Sequence, residues 1–182
     1  VSHSIEEISQ IADEIILLNN GKKVSSGSLS KILNSNSFQK LIGKFESSSV
    51  LEGILSETDQ LMKITTLDVN GQKLIVPGRP GLIGNIVRVR IRSRDVIVSP
   101  VRVNTHIIEN QLEGIITNIY TEKDTAFSEL VINLKNSKIN KKSQLLRARI
   151  TTYNLNKMKI AKNKKVFIYI SSVSIDRQAY QY

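Results

Sequence analysis

The amino-terminal residues alternate between apolar and polar side chains with the spacing of a helix. Ile5, Ile8 and Ile11 recur every three positions, Ala12 follows them, and polar residues lie between. This period places the apolar side chains on one helix face. Ser4 precedes the pattern, and serine caps helix amino termini by accepting a backbone hydrogen bond. We therefore predict a short amphipathic helix that begins after Ser4.

A β-hairpin and a second short helix are predicted next. The run Glu14–Leu18 is typical of a buried strand, and Asn19–Gly21 is the kind of sequence that makes a tight turn between two strands. Lys22–Val24 is predicted to be the returning strand. Ser28 can cap a helix that runs to Leu33.

The residues that follow this helix predict a linker. Residues 34–37 are rich in Ser and Asn, residues 38–42 allow one more amphipathic turn, and Ser47–Ser49 are consecutive serines. Clusters of small polar residues usually lie in loops. We therefore expect the amino-terminal part to end here.

From Val50 onward the pattern changes to short strands. Turn residues such as Asn70–Gly71 separate most of the apolar runs. Many short strands at this spacing favour a small barrel or sandwich. Leu51–Gly53 and Leu112–Gly114 share the sequence Leu-Glu-Gly, which suggests two duplicated halves, each a small five-stranded barrel. The predicted strands are 50–55, 61–67, 73–76, 86–98, 111–120, 129–134, 144–150 and 165–175.

Arginines alternate with apolar residues in one of these strands. Alternation places Val87, Val89 and Ile91 towards the core. The opposite face would carry Arg88, Arg90, Arg92 and Arg94. Such a stripe can bind phosphates or an oxyanion, or it can be a solvated outer face that pairs with carboxylates.

Positive charge is concentrated in the predicted β part. The formal net charge is +10; residues 1–60 hold five Lys or Arg against eight Asp or Glu, and residues 61–182 hold 21 against eight. A basic surface can bind nucleic acid, anionic lipid or an anionic ligand, but an AT-rich coding bias towards lysine gives the same charge. Aromatic residues make up 5% of the chain and none lies among the four arginines, which disfavours nucleic-acid binding by base stacking.

Composition excludes several kinds of site. The chain has no cysteine, which excludes disulfides and thiolate metal sites and fits a reducing cytoplasm. His3 and His106 are too few for a histidine-based metal site, so no metal is predicted. No apolar run approaches the ~20 residues that cross a bilayer, and the chain does not begin as a signal peptide does. The missing initiator methionine suggests a fragment of a longer protein.

The first 33 residues resemble the end of the nucleotide-binding domain of ABC transporters. The resemblance lies in Val1–Ser4 before the capped helix, in Ala12–Lys22, and in Gly27–Leu29 after the hairpin. In that family a histidine in the switch loop contacts the γ-phosphate of ATP, and the resemblance implies this role for His3. An imidazole N–H can donate to a phosphoryl oxygen and help to orient the attacking water. The other interpretation is that His3 is an ordinary polar residue at a strand end.

The other parts of an ATPase site are missing from this sequence. It contains no Gly-x-x-x-x-Gly-Lys-Ser/Thr phosphate loop and no strand that ends in the acidic residues that hold magnesium. The chain alone is therefore predicted not to hydrolyse ATP. ATP and magnesium are expected as cofactors of a full-length protein only.

The remaining sequence resembles the regulatory domain of molybdate-importer ATPases. Ser49–Glu52, Leu74–Pro77 and Val87–Val96 match that domain, known as TOBE, in order and spacing. The later part resembles its molybdate-binding (Mop) module, in the residues Asn110–Gly114, Ala148–Thr151 and Ile170–Ile175. The resemblance covers residues 49–176 and implies an OB-like β-barrel that dimerises and binds molybdate or tungstate near subunit contacts.

The oxyanion site that the resemblance implies is only partly matched. Asn110, Thr151 and Ser172 fit the family pattern and are the predicted oxyanion-binding residues. The family has Ser-x-Arg where residues 107–109 are Ile-Ile-Glu, and it often has lysine where this chain has Ser171. Replacing a cation by an acid at about 4 Å from a bound oxyanion changes the interaction energy of the two charges by several kcal/mol at a dielectric of ~20. Neutral hydrogen bonds of roughly 1 kcal/mol each do not restore this, so we predict a retained barrel with weak oxyanion binding unless a lysine within 157–165 lies nearby.

The sequence thus predicts a mainly β protein with two parts. Residues 1–45 would be the end of an ABC ATPase domain with its linker, and residues 46–178 an OB-like regulatory barrel or two barrel halves. The resemblance implies a fragment of a molybdate importer's ATP-binding subunit: a cytoplasmic homodimer at the inner face of the membrane, partnered by a permease and by molybdate or tungstate. A stand-alone molybdate storage or sensor protein and a basic OB-fold nucleic-acid binder are the alternatives. An independent enzyme is disfavoured because no nucleophile–base set or carboxylate pair is evident.

Overall fold

The structure is a computed structural model that describes residues 1–33, 35, 37, 38, 41, 47–78, 81–104, 110–136, 143–171 and 173–175. Strands predominate in this part of the chain. No helix among the described residues is long and apolar enough to cross a membrane.

Two helices and a hairpin form an amino-terminal unit. Its elements are α1 (Ile5–Ile11), β1 (Glu14–Asn19), β2 (Lys22–Ser28) and α2 (Leu29–Leu33). Ser4 caps α1 as predicted, because its side chain accepts a hydrogen bond from the Glu7 amide. The β1–β2 turn contains Asn20 and Gly21 at φ 49° and 73°, a conformation that asparagine and glycine tolerate best.

A small apolar cluster joins this unit to the rest of the chain. Most of its members lie on α1, α2 and the residues just after α2, but Val50 belongs to the next strand. The buried members are Ile5, Leu29, Ile32, Leu33, Phe38 and Val50. The amino-terminal unit is therefore packed onto the β part.

The β part consists of ten strands, a 3₁₀ turn and one helix within the described residues. The strands are β3 (Ser48–Asp59), β4 (Ile64–Val69), β5 (Gln72–Pro77), β6 (Ile86–Arg92), β7 (Val96–Ser99), β8 (Asn110–Thr121), β9 (Phe127–Leu134), β10 (Leu145–Thr151), β11 (Lys165–Ile170) and β12 (Ser174–Ile175). The 3₁₀ turn is Ser93–Asp95, and the helix, α3, is Thr152–Lys157.

These strands form two five-stranded sheets that exchange their last strands. The orders are β12-β6-β3-β4-β5 and β10-β9-β8-β11-β7. Strand β7 follows the first four strands in sequence but pairs with β11, and β12 pairs in turn with β6. One apolar cluster includes residues of both sheets, for example Leu51 and Ile91 from the first and Ile132 and Ile168 from the second. The two halves therefore share a core and are not independent barrels.

The Leu-Glu-Gly repeat marks a duplication that the structure confirms. Gly53 and Gly114 occupy the same place in β3 and β8, and each of these strands has a bulge a few residues later. A Cβ at Gly114 would lie 2.6 Å from Ile132 Cγ2, and one at Gly53 would lie 2.9 Å from Leu67 Cβ. Glycine is required because the neighbouring strand approaches the backbone too closely for a side chain.

Two glutamines tie the halves together with the same geometry. Gln144 accepts a hydrogen bond from the Glu52 amide at 2.7 Å and donates to the Glu52 carbonyl at 2.8 Å. Gln72 accepts from the Glu113 amide at 2.6 Å and donates to the Glu113 carbonyl at 3.2 Å. Each side-chain amide thus pairs with the backbone of the other half as an adjacent strand would.

Two predicted strands are wrong in the same way. The predicted strand 86–98 is broken by the turn Ser93–Asp95, and 165–175 is broken between Ile170 and Ser174. Both breaks lie where the chain crosses from one sheet to the other. A hydrophobic period cannot reveal such a crossing, because the residues on either side remain buried and alternating.

The linker prediction for Ser47–Ser49 is also wrong. Ser48 and Ser49 begin β3, and all three serines are less than 4% exposed. Their hydroxyls bind side chains and backbone of the barrel, so their polarity is satisfied inside the fold and does not mark a loop. The rest of the predicted linker at 34, 36, 39, 40 and 42–46 lies outside the described residues.

Candidate functional site

His3 lies on an exposed segment that is braced from both sides. The Ser2 hydroxyl donates to Glu7 Oε2 at 2.6 Å and accepts from the Ser4 amide at 3.1 Å. Ser4 in turn accepts from the Glu7 amide at 3.3 Å. The two serines therefore hold the backbone on each side of His3 to the first turn of α1 and leave its imidazole open to solvent.

The amino-terminal unit also exposes large apolar side chains. Ile11 ends α1 at 69% exposure, and Ile16 and Leu18 on β1 are 63% and 54% exposed. Ile15 and Leu17, on the other face of β1, pack against the small apolar cluster. Strand β1 is therefore apolar on both faces, with one face packed and the other exposed.

Asn110 is engaged with the backbone of the first half. Its Oδ1 accepts from the Ile75 amide at 2.6 Å, and its Nδ2 donates to the Ile75 carbonyl at 2.8 Å. Ser49 corresponds to it in the duplicated half and accepts from the Arg147 amide at 2.9 Å. Asn110 therefore joins β8 to β5, and its second Nδ2 hydrogen remains for any further partner.

Thr151 caps α3. Its Oγ1 accepts from the Asn154 amide at 3.2 Å. Thr151, the last residue of β10, pairs with Phe127 on β9. Ser128, which follows Phe127 on β9, pairs with Thr121 at the end of β8. Since Asn110 is the first residue of β8 and Thr151, on β10, lies across β9 from its far end, the structure places these two candidates at opposite ends of the sheet.

The other candidate positions lie partly outside the described residues. Ser172 and residues 105–109, which include the departures at 107–109, are not described. Ser171 is exposed, and its hydroxyl donates to the Asp95 carbonyl at 3.4 Å. Of the predicted oxyanion residues, the structure thus locates Asn110 and Thr151 and does not bring them together within one chain.

A lysine that could compensate is already engaged elsewhere. Lys165 Nζ lies 3.0 Å from Glu113 Oε2, and Lys135 Nζ lies 3.3 Å from it. These lysines, Lys165 foremost, hold the pKa of Glu113 below its ordinary value of 4.5, against an opposing effect of desolvation. The depressed pKa stabilises the fold above about pH 4.5, and this contribution is lost as pH falls through the lower folded-state value. Lys165 faces Ile115, further along β8 than Asn110.

Sequence reasoning missed a buried polar network between the halves. Arg147 is 1% exposed, and its Nη1 donates to Glu129 Oε2 at 2.5 Å. The other oxygen of Glu129 accepts from the Ser47 hydroxyl. Arg147 lies in the alternating run Leu145–Thr151 and carries no signal of burial, because its position on the face opposite Leu146 predicts exposure.

The four-arginine stripe is not continuous in the structure. Val87, Val89 and Ile91 are buried as predicted. Arg88 contacts carboxylates, Arg90 is 8% exposed and donates to the Ser48 hydroxyl at 3.1 Å, and Arg94 lies on the 3₁₀ turn. The interpretation as an outer face that pairs with carboxylates therefore fits Arg88. No group of three or more potential metal ligands occurs among the described residues.

Known relatives are ATP-binding proteins of molybdenum importers. The molybdenum import ATP-binding protein ModC of Haemophilus influenzae is 30% identical over 175 residues, which are 96% of this chain and 47% of the relative. ModC 1 of Azotobacter vinelandii is 27% identical over 175 residues, covering 96% and 46%. ModC of Paramagnetospirillum magneticum is 35% identical over 123 residues, covering 65% and 33%. The chain spans about half the length of these relatives or less, and no family model matches it.

A solved structure has the same fold. The cytoplasmic molybdate-binding protein ModG, with molybdate bound, superposes with a TM-score of 0.57 at 15% identity, covering 69% of this chain and 93% of that one. At this identity the likeness concerns the fold alone, and it confirms the predicted mainly β, OB-like architecture. The predicted resemblance to molybdate-importer ATP-binding proteins is confirmed by the sequence matches over 96% of the chain.

Proposed function

We propose that this chain is the carboxyl-terminal part of the ATP-binding subunit of a molybdate importer, with residues 1–45 closing the ATPase domain and residues 46–178 forming its regulatory barrel. The observation that carries the proposal is the sequence match to import ATP-binding proteins over 96% of the chain, which is more than the barrel alone could supply. In this function the protein acts in the cytoplasm, at the inner face of the membrane, beside a permease subunit.

The exposed apolar face of the hairpin supports this assignment. Ile11, Ile16 and Leu18 would be costly to leave in water, at about 25 cal/mol for each Å² of apolar surface. An ATPase domain that contains the phosphate loop would cover this face and bring a nucleotide to His3. His3 would then donate a hydrogen bond to the γ-phosphate, with ATP and magnesium held by that domain.

Feedback by the transported oxyanion would act through the barrel, and the departures at Glu109 and Ser171 are expected to make it weak in this chain. Feedback requires that molybdate or tungstate binds the resting subunit better than the one closed on ATP, since a ligand shifts an equilibrium only by its differential affinity. Asn110, Thr151 and Ser172 are the proposed contacts. Because Asn110 and Thr151 lie at opposite ends of their sheet, a site that uses both would need a second protomer.

A stand-alone molybdate-binding protein is the second candidate. The fold of ModG, a molybdate-binding protein, favours it. The sequence match over 96% of the chain, which is longer than the barrel and so reaches into residues 1–45, favours the importer. The coding sequence upstream of Val1 distinguishes the two. A phosphate loop in the same reading frame would support the importer subunit, and an independent start codon without one would support the stand-alone protein.

The isolated chain is expected to show no ATP turnover. The sequence has no phosphate loop and no magnesium carboxylate, so no group would position the γ-phosphate. Phosphate release should equal that of a buffer blank and should not change in His3→Ala. Magnesium-dependent release that His3→Ala abolishes would contradict this expectation.

The chain is expected to form a homodimer through the barrel. Ile54 and Ile86 are neighbours on the outer face of β3 and β6 at 46% and 70% exposure, and Leu82 and Ile83, which precede β6 in the chain, are 69% and 68% exposed. Light scattering at tens of micromolar should give twice the 20.4 kDa chain mass, and Ile86→Lys should lower it. Lysine is tolerated at this strand position, because Lys165 occupies it in the duplicated half. A native monomer at this concentration would argue against a stable interface.

A further inference from the structure

One arginine of the barrel holds the end of the helix that follows His3. Arg88 lies on β6, and its Nη2 is 3.0 Å from Asp13 Oδ1. Its Nη1 donates to the Ala12 carbonyl at 3.4 Å, and its Nε is 3.6 Å from Glu52 Oε1 on β3. Ala12 is the C-cap of α1. The guanidinium thus joins two strands of the barrel to the carboxyl end of α1, where a positive charge also suits the helix dipole.

A continuous chain of hydrogen bonds runs from this arginine to the residue beside His3. Arg88 donates to the Ala12 carbonyl, and the Ala12 amide donates to the Ile8 carbonyl at 3.0 Å. The Ile8 amide then donates to the Ser4 carbonyl at 3.1 Å. Ser4 is the N-cap of α1 and follows His3 directly. A displacement of β6 would therefore be transmitted along α1 to the His3 segment.

The amino-terminal unit contacts β3 and β6 through both polar and apolar side chains. Val50 on β3 is packed into the apolar cluster of the amino-terminal unit, and it is two residues from Glu52. Asp13 is 88% exposed, and its carbonyl accepts from the Leu29 amide at 2.9 Å, which connects it to α2. The apolar cluster holds the amino-terminal unit against the barrel, while the hydrogen bonds of Arg88 fix the orientation of α1 relative to the barrel.

We propose that Arg88 is a positioning residue that couples the regulatory barrel to the His3 segment through α1. The proposal rests on the proposed function for its biological meaning, because it supplies the link by which oxyanion binding in the barrel would reach the switch histidine. The link itself is a property of this chain. It consists of one guanidinium, the Ala12 carbonyl and Asp13, with Glu52 holding the arginine from the barrel side.

The test is amide NMR and hydrogen exchange on the whole chain, without nucleotide or molybdate. In Arg88→Met, which keeps an unbranched side chain and removes the guanidinium, the amides of Ala12 and Ile8 should exchange about two- to fivefold faster, the range expected for losing a largely exposed ion pair. The amide resonances of His3 and Ser4 should also shift, although they lie at the far end of α1. A merely local role would confine the changes to Ala12–Glu14.

Two further variants keep the result interpretable. Asp13→Asn should give a smaller change of the same kind, because the bond from Arg88 to the Ala12 carbonyl remains. The double variant should be no worse than Arg88→Met alone, because Arg88→Met already removes the pair with Asp13. Arg94→Met, on the 3₁₀ turn and 62% exposed, should leave α1 unchanged. Unchanged exchange at Ile8, or multiplying effects of Arg88→Met and Asp13→Asn, would overturn the coupling. Such a failure leaves the importer assignment intact, whereas an upstream sequence without a phosphate loop would remove that assignment and leave the coupling.

Discussion

Glu129→Ala is expected to lower the free energy of unfolding by about 3–5 kcal/mol, the range measured when one partner of a buried ion pair is removed. The change removes the carboxylate to which Arg147, at 1% exposure, donates through Nη1, and it also removes the acceptor of the Ser47 hydroxyl. Urea denaturation, followed by far-ultraviolet circular dichroism, would measure the loss. Glu57→Ala on the exposed part of β3 is the matched control and should change the stability by less than about 0.5 kcal/mol.

Replacing both Arg147 and Glu129 distinguishes the cost of burying a charge from the loss of the contact itself. Arg147→Met combined with Glu129→Leu should recover most of the loss, because an apolar pair of similar volume needs no compensation for desolvation. A single Glu129→Ala variant that is as stable as the native protein would show that water reaches Arg147. A double variant that is as unstable as the single one would show that the network stabilises the fold through the packing geometry around Ser47 and not through its charges.

This network illustrates what the sequence does not reveal. Alternation correctly predicts the inward positions of Val87, Val89 and Ile91, since those side chains have one apolar face to fill. The same rule predicts that Arg147 faces solvent, and it is wrong there, because packing against the other half buries both faces of β10 at residues 146–148. Burial between duplicated halves is a tertiary effect that no local period encodes.

The serines and the strand crossings were missed for a related reason. Ser47–Ser49 have the composition of a loop, yet their hydroxyls bind groups inside the fold. Ser47 donates to Glu129, Ser48 accepts from Arg90, and Ser49 accepts from the Arg147 amide. The helix Thr152–Lys157 was not predicted, because six residues with two asparagines give little helical signal. By contrast, the Leu-Glu-Gly repeat predicted the duplication correctly, since each glycine is required by a close strand contact.

The candidate site was predictable only as far as family motifs extend. The positions of Asn110 and Thr151 come from the resemblance, and their partners, Ile75 and α3, come from the structure alone. Asn110 matches a pattern for ligand binding while also joining β8 to β5. A sequence cannot separate these two uses of one amide, because both require the same residue type at the same position.

Charge at two positions is expected to decide whether the barrel binds its oxyanion. The native chain should bind molybdate weakly or not at all, and Glu109→Arg combined with Ser171→Lys should raise the affinity by ~100-fold or more. These are the two places where the resemblance supplies cations and this chain has an acid and a hydroxyl. Removing one repulsive charge and adding two donors favours a dianion by several kcal/mol in a partly buried site, and about 1.4 kcal/mol corresponds to each tenfold gain.

Isothermal calorimetry with molybdate would measure this gain, with sulfate as the control anion. Glu57→Arg combined with Gln60→Lys makes the same change of net charge on an exposed part of the first half, and it should leave the affinity unchanged if the effect is local. Tight binding by the native chain would mean that other residues form the site, and no gain in the double variant would mean that its geometry is lost. An equal gain in the control variant would assign the effect to the overall field of the protein. Each of these three results would contradict the expectation, because it rests on charge at positions 109 and 171 alone.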